Sequence, residues 1–423
     1  MKISAVFVLL FTGLLVRLAA FAIDMPFAGD VRTFQIWAMY LYNHGFQHFY
    51  NSYTFTDYPP VYMYVLWLFG MIQNRMGWEL LYRDFNFLVF SPAMISDLAT
   101  VVALYFVCHN FFDNGKVSAP AFGKPFWIAL AYSLNPAIIL NSSVWGQVDA
   151  IHTMLLFFAM YAVTKSQSLP VYLLYGFAVI TKPQSLIVAP IFLYSAFHYF
   201  KESGHTLKAA LTMFGFAALT FVFMALIALP FTIGFDFMPI LQQYTDTLGS
   251  YPFASINAYN FYALMGGIWQ PISLFMQILS TVAIVGVTLM TFWIMSNRFD
   301  ISGVFFSAAL LFIVTFNFSV QMHERYLFPA LLFLLVAGAY TYSQNRHDKR
   351  FLALYSMFTL TFFINCLNVL LDTHGMAFLS FGPPPDRVWR PINEAIALVS
   401  FVSVCLAVYS LKIGRDVNKW NDL

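Results

Sequence analysis

Residues 58–73, YPPVYMYVLWLFGMIQ, decide how the chain is threaded. The run is apolar enough to cross a bilayer. Its opening Tyr-Pro-Pro also suits a helix that starts beside one, because proline is well tolerated in a first turn. Charge elsewhere in the chain arbitrates, through the excess of Lys and Arg in cytoplasmic loops. If 58–73 stays on one side, most of the 21 basic residues collect on a single face. If it crosses, Lys2 stays inside while every later basic cluster moves out. The segment is therefore expected to be a juxtamembrane or re-entrant helix on the outer side, with both termini cytoplasmic.

The rest of the composition agrees with a membrane chain. Of 423 residues, 60% are hydrophobic and only 9% are charged, which exceeds what a soluble core needs. A net charge of +2 without a block of like charge gives no reason to expect a nucleic-acid partner. Cys108, Cys366 and Cys405 are far apart and form neither a metal spacing nor a disulfide framework. The N-terminal apolar run behind Lys2 reads as an uncleaved first span, since Arg17 interrupts a stretch already long for a signal peptide.

Apolar runs lie near 3–23, 85–108, 125–141, 149–165, 208–232, 272–296, 302–320, 326–343, 351–371 and 393–412. The stretch 169–200 is broken by Lys182-Pro183 and divides into two short helices, because proline disfavours helix at the preceding residue. The expectation is an all-α polytopic membrane protein of about 12 transmembrane helices. It forms one integral membrane domain over 1–423. Outer-loop helices are expected at 31–45 and 58–73, the first from the helical spacing of Phe34, Trp37, Ala38 and Leu41.

The unusual polar residues gather on the outer side. Asp30 opens the helix in GDVRTFQIW, either as its N-cap or as a proton acceptor. Asp57 precedes Tyr-Pro-Pro as a helix-start residue or a second acid. Asp97, within an apolar run, needs a polar partner, and Arg17 is a candidate. Trp145, Gln147 and Asp149 stand at a helix start in NSSVWGQVDAIH, a combination suited to stacking and hydrogen bonding a sugar. Lys182 and Gln184 flank the break in VITKPQSL. Asn257 and Asn260 precede a span in SINAYNFYALMGG, and loop 372–392 carries Arg387 and Arg390. His323, Glu324 and Arg325 stand together in QMHERYLFP, between two apolar runs. The cations on this face suit a phosphate anion. With no Asp-X-Asp, no zinc spacing and no Gly-rich phosphate loop, no metal or other cofactor is expected.

In chain order from about residue 24 to 335, these motifs resemble the GT-C glycosyltransferases. The likeness is greatest to the dolichyl-phosphate-glucose-dependent glucosyltransferases and prokaryotic polyprenyl-phosphate-sugar transferases. The resemblance implies a GT-C-like bundle, with 1–232 as its common module and 233–423 as variable helices carrying the phosphate loop. It also implies an inverting hexosyltransferase (mannose or glucose) on the non-cytoplasmic face, with Asp30 as general base. His323, Glu324, Arg325, Lys182, Arg387 and Arg390 would bind donor phosphate. Asp149, Gln147, Trp145, Gln184, Asn257, Asn260 and Asp57 would line the sugar and acceptor site. The partners would be a polyprenyl-phosphate-hexose donor and a glycolipid, cell-wall glycan or protein acceptor, in a bacterial plasma membrane. A transporter or flippase of lipid-linked sugars is the alternative, and a catalytically inactive scaffold is a third reading.

Overall fold

The computed structural model describes residues 2–51, 56–113, 120–345 and 348–375, with a few positions beyond. In chain order the helices are α1 (Lys2–Phe21), α2 (Ala28–His44), α3 (Pro60–Met76), α4 (Arg83–Phe112), α5 (Lys124–Ser133), α6 (Pro136–Ile139), α7 (Asp149–Val163) and α8 (Leu169–Val179). There follow α9 (Ala189–Glu202), α10 (Leu207–Ala228), α11 (Met238–Ser250), α12 (Phe261–Leu264), α13 (Leu274–Asn297), α14 (Ile301–Phe318), α15 (Phe328–Ser343) and α16 (Lys349–Thr373). Among the described residues there is no strand, only isolated bridges. The chain is an all-α multi-pass membrane protein.

Among the described residues, seven helices are long and apolar enough to cross a membrane: α1, α4, α10, α13, α14, α15 and α16, with α10 and α15 counted together with the 3-10 turns beside them. The other expected segments take different forms. Residues 125–141 are not one continuous helix. Asn135 ends α5 and caps α6, accepting from the amides of Ala137 and Ile138, and Leu140–Trp145 then winds into a wider π-type turn. Segments 149–165 and 169–200 form the shorter α7, α8 and α9. The break at Lys182-Pro183 is present as a 3-10 turn, Pro183–Val188. The segment 393–412 lies almost wholly outside the described residues.

The chain folds as two compact units. The first comprises Leu14–Thr100 and Asn141–Pro252, the second Met1–Gly13, Val101–Leu140 and the chain from Phe253 onward. In the first unit α2 and α3 pack face to face. Val31, Phe34, Trp37, Ala38 and Leu41 recur at helical spacing and are all buried, against Tyr62, Met63, Leu66 and Phe69 of α3. A Cβ added at Gly70 would stand 2.0 Å from the Ala38 carbonyl oxygen, so this glycine sets the approach of the two helices. The helices lie close to the expected 31–45 and 58–73, each displaced by a few residues. Arg17 meets Asp97 as the sequence suggested. Its Nε and Nη2 lie 3.2 and 3.1 Å from Asp97 Oδ2, and both side chains are fully buried. Pairing is what makes two charges tolerable at such depth. Helix α10 keeps Leu211, Phe214, Phe221 and Leu226 exposed, as an apolar surface toward lipid requires.

In the second unit α14 is buried on nearly every side, with α13 and α15 packed against it and α16 against α15. Loop 253–271 is bridged to Met322, whose carbonyl accepts from the Ile256 amide at 3.1 Å. Asn365 of α16 fixes the same loop. Its Oδ1 accepts from the Tyr259 amide and its Nδ2 donates to the Asn257 carbonyl, at 2.9 and 2.8 Å.

Candidate functional site

The first unit gathers five of the polar residues singled out from the sequence into one connected network. Asp30 lies in the first turn of α2, which begins at Ala28, two residues before it. It is therefore not the N-cap. Phe27 holds that position and makes no side-chain cap. The Asp30 carboxylate accepts instead from two side chains over a hundred residues away. Trp145 Nε1 donates to Oδ2 at 3.0 Å, and Gln147 Nε2 donates to the same oxygen. Both donors are buried, whereas Asp30 is partly exposed.

Gly146 allows this convergence. Its φ of +86° turns the chain between the two donors, a conformation that glycine adopts without strain. A Cβ at Gly146 would also fall 2.2 Å from the Phe90 ring. The Phe27 ring stacks on Trp145 with centroids 4.8 Å apart.

From Gln147 the network turns inward. Tyr58 Oη donates to Gln147 Oε1 at 3.3 Å, and Lys182 Nζ lies 5.7 Å from the centre of the Tyr58 ring. Lys182 is buried and donates to Asp149 Oδ1. Asn141 Nδ2 donates to the other Asp149 oxygen at 3.2 Å. His152 Nε2 lies 3.8 Å from Asp149 Oδ1, while its Nδ1 faces Ser185 Oγ at 3.2 Å. Asp149 begins α7 with Val148 as the preceding cap residue, and its carboxylate serves Lys182 and Asn141. The helix break that exposes Lys182 to sequence reading folds inward. Lys182 opens the 3-10 turn in extended conformation, and the Pro183 ring ends the preceding helix geometry.

The remaining residues have other surroundings. Asp57 is partly exposed just ahead of Tyr58. Gln184 is partly exposed, with its Oε1 buried and lacking a hydrogen-bond partner. In the second unit, Glu324 and Arg325 pair with each other at 2.9 Å in a 3-10 turn that His323 precedes. The His323 ring lies 5.2 Å from Tyr326. Asn257 accepts from Trp269 Nε1 at 3.0 Å. Asn260 caps α12 and donates to the Phe316 carbonyl at 3.2 Å. Arg387 and Arg390 lie outside the described residues.

Sequence reasoning passed over Tyr58, Asn141, His152 and Ser185 as network members. Asp149 and His152 stand three residues apart on α7, a spacing that places both on one helix face. Among the described residues no group of three or more His, Cys, Asp or Glu side chains is placed to hold a metal ion.

A protein-family model described as GPI transamidase subunit PIG-U matches residues 30–251, just over half of the 423-residue chain. No curated protein matches the chain. The match keeps the broader resemblance, a multi-pass membrane protein of the GT-C-like class, and overturns the activity expected from it. A GPI transamidase subunit is neither a hexosyltransferase fed by a polyprenyl-phosphate donor nor a carrier of lipid-linked sugars. The expected donor and acceptors fall with that activity, and the bacterial plasma membrane with an outer-face active site draws no support from the match.

Proposed function

The chain belongs to the PIG-U family, and from that membership we propose that it serves as a membrane-embedded subunit of a transamidase that attaches proteins to GPI anchors. The observation that carries this reading is the family match itself, over residues 30–251. It is supported by coincidence of place, since every member of the Asp30–Lys182 network falls inside those residues. The partners in this reading are fellow subunits and the proteins to be anchored.

Within that role the network divides in two. Asp30 and its two donors, Trp145 and Gln147, form its outer part, which we assign to ligand recognition. Lys182, Asp149, Asn141 and His152 are buried behind it and hold α7, the π-type turn and the 3-10 turn in register.

Affinity purification of the tagged full-length chain from its native membranes in a mild detergent, followed by cross-linking mass spectrometry, tests the assignment. Stoichiometric recovery of further subunits, together with anchoring activity toward a GPI-signal reporter, is the expected result. Recovery of the chain alone, with the anchoring activity left in the flow-through, would contradict it.

A further inference from the structure

Just past the end of the α10 span, which closes in the 3-10 turn Leu229–Phe231, the chain reverses in a four-residue turn. The Asp236 amide donates to the Ile233 carbonyl at 3.1 Å, and the residues between them, Gly234 and Phe235, both have positive φ, +61° and +64°. Glycine takes that conformation freely, but a phenylalanine there is strained. Packing does not offset the strain, because Phe235 is 76% exposed. A bulky aromatic held outward on a strained turn points to an apolar environment outside the chain. We propose that this turn and the start of α11 insert into the interfacial layer of the leaflet that the C-terminal end of α10 reaches, anchoring the first unit there.

Three observations choose lipid as the occupant. The patch continues a surface that already faces lipid. Val222 and Leu226, four residues apart on α10, are exposed on one face, and exposed Pro230, Ile233 and Phe235 follow them. Charge is scarce here, for between Lys208 and Asp246 the single charged residue is Asp236, whose Oδ1 accepts from the Met238 amide at 2.9 Å. The patch also projects, since a Cβ added at Gly234 would meet nothing within 4 Å. A projecting apolar tip penetrates a fluid interface without needing a complementary pocket.

Helix α11 connects the anchor to the core. Phe237 and Ile240, three residues apart, pack against the cluster built by α2 and α3, while Met238 and Leu241 are exposed. Thr56 Oγ1 donates to Gln243 Oε1 at 2.7 Å and ties α11 to the loop ahead of α3. Insertion of the turn thereby fixes the height of the α2–α3 pair, and of Asp30 on it, relative to the membrane surface.

The test places a nitroxide spin label at Phe235→Cys, or separately at Leu241→Cys, in a full-length chain whose native cysteines are replaced by alanine. The chain is purified with its bound partners into phosphatidylcholine nanodiscs. Collision with oxygen, which concentrates in lipid, is compared with collision with a water-soluble nickel chelate. Both labels should favour oxygen and lie about 5–10 Å below the lipid phosphates. The label at position 241 leaves the turn native, so its depth does not depend on how a cysteine at 235 is tolerated. Adding Phe235→Asn to that chain removes the ring and relaxes the turn, and should raise the label toward the phosphates. A label at 241 unmoved by Phe235→Asn would overturn the anchoring role. Labels open to the nickel chelate would overturn the proposal by leaving the turn in water, and labels that neither reagent reaches would overturn it in favour of a protein surface.

Discussion

Lys182 donates to the Asp149 carboxylate across 33 residues of sequence, and neither side chain reaches solvent to more than 3% of its surface. Each residue looked like an independent ligand for a bound molecule. The fold instead uses them on one another, and the pair joins the helix break at Pro183 to the start of α7.

Removing one member of this pair leaves a buried charge without its counterion, which costs about 3–5 kcal/mol, more than the pair itself contributes. Lys182→Met and Asp149→Leu should each lower the detergent-solubilised chain's unfolding temperature strongly. The double variant should lose less than the sum of the two. Additive losses, measured by thermal unfolding under one set of conditions, would show that the two residues do not interact.

Gly146→Ala is expected to disturb the Asp30 surroundings more than its one methyl group suggests. A left-handed backbone at a non-glycine residue costs about 1–3 kcal/mol, and the added Cβ meets the Phe90 ring at 2.2 Å. Trp145 fluorescence reads this directly, because its indole N–H bonds Asp30. An unchanged emission maximum and unchanged quenching in a variant whose only other tryptophans are replaced by phenylalanine would refute the account of that turn.

Asn365→Leu should loosen loop 253–260 without unfolding α16. It removes both the acceptor for the Tyr259 amide and the donor to the Asn257 carbonyl, and each orphaned group costs about 1–3 kcal/mol. Hydrogen exchange should rise across residues 255–260 while staying low in α14. Protection equal to wild type over the loop would contradict this anchoring.

Asp348, ahead of α16, supplies a pH dependence. Burial pushes its carboxyl pKa up, but side-chain and backbone hydrogen bonds from Arg350, with its positive charge, outweigh that and hold the carboxyl below its usual value. A carboxyl depressed in the folded state stabilises it above the unfolded pKa, and that stabilisation is lost as pH falls through the folded value. Wild type should therefore lose its stability margin over Asp348→Asn on acidification below pH ~4. A margin constant across that range would show that the Arg350 contacts contribute nothing, as half-exposed ion pairs sometimes do.

The membrane character and most of the helices were legible because hydropathy and helical spacing are local properties. Tyr-Pro-Pro located the start of α3, Lys182-Pro183 located the helix break, and Asp97 in an apolar run pointed to Arg17. What the sequence hid was contact over distance. Nothing near Asp30 indicates that Trp145 and Gln147 will bond it, and that contact supplanted the capping role its neighbours suggested. The same blindness made Lys182 look like an exposed cation. The activity was misread for a related reason. The motifs in GDVRTFQIW, DYPPVYMY and TKPQSLIVAP carry the shape of a membrane scaffold, and a scaffold does not specify the reaction performed on it.

The central claim is membership in a GPI-attaching assembly, and the most direct measurement is the fate of a reporter protein bearing a GPI signal in cells depleted of this chain. The account predicts that the reporter accumulates without its anchor and that the wild-type chain restores attachment. Full anchoring in depleted cells would contradict it.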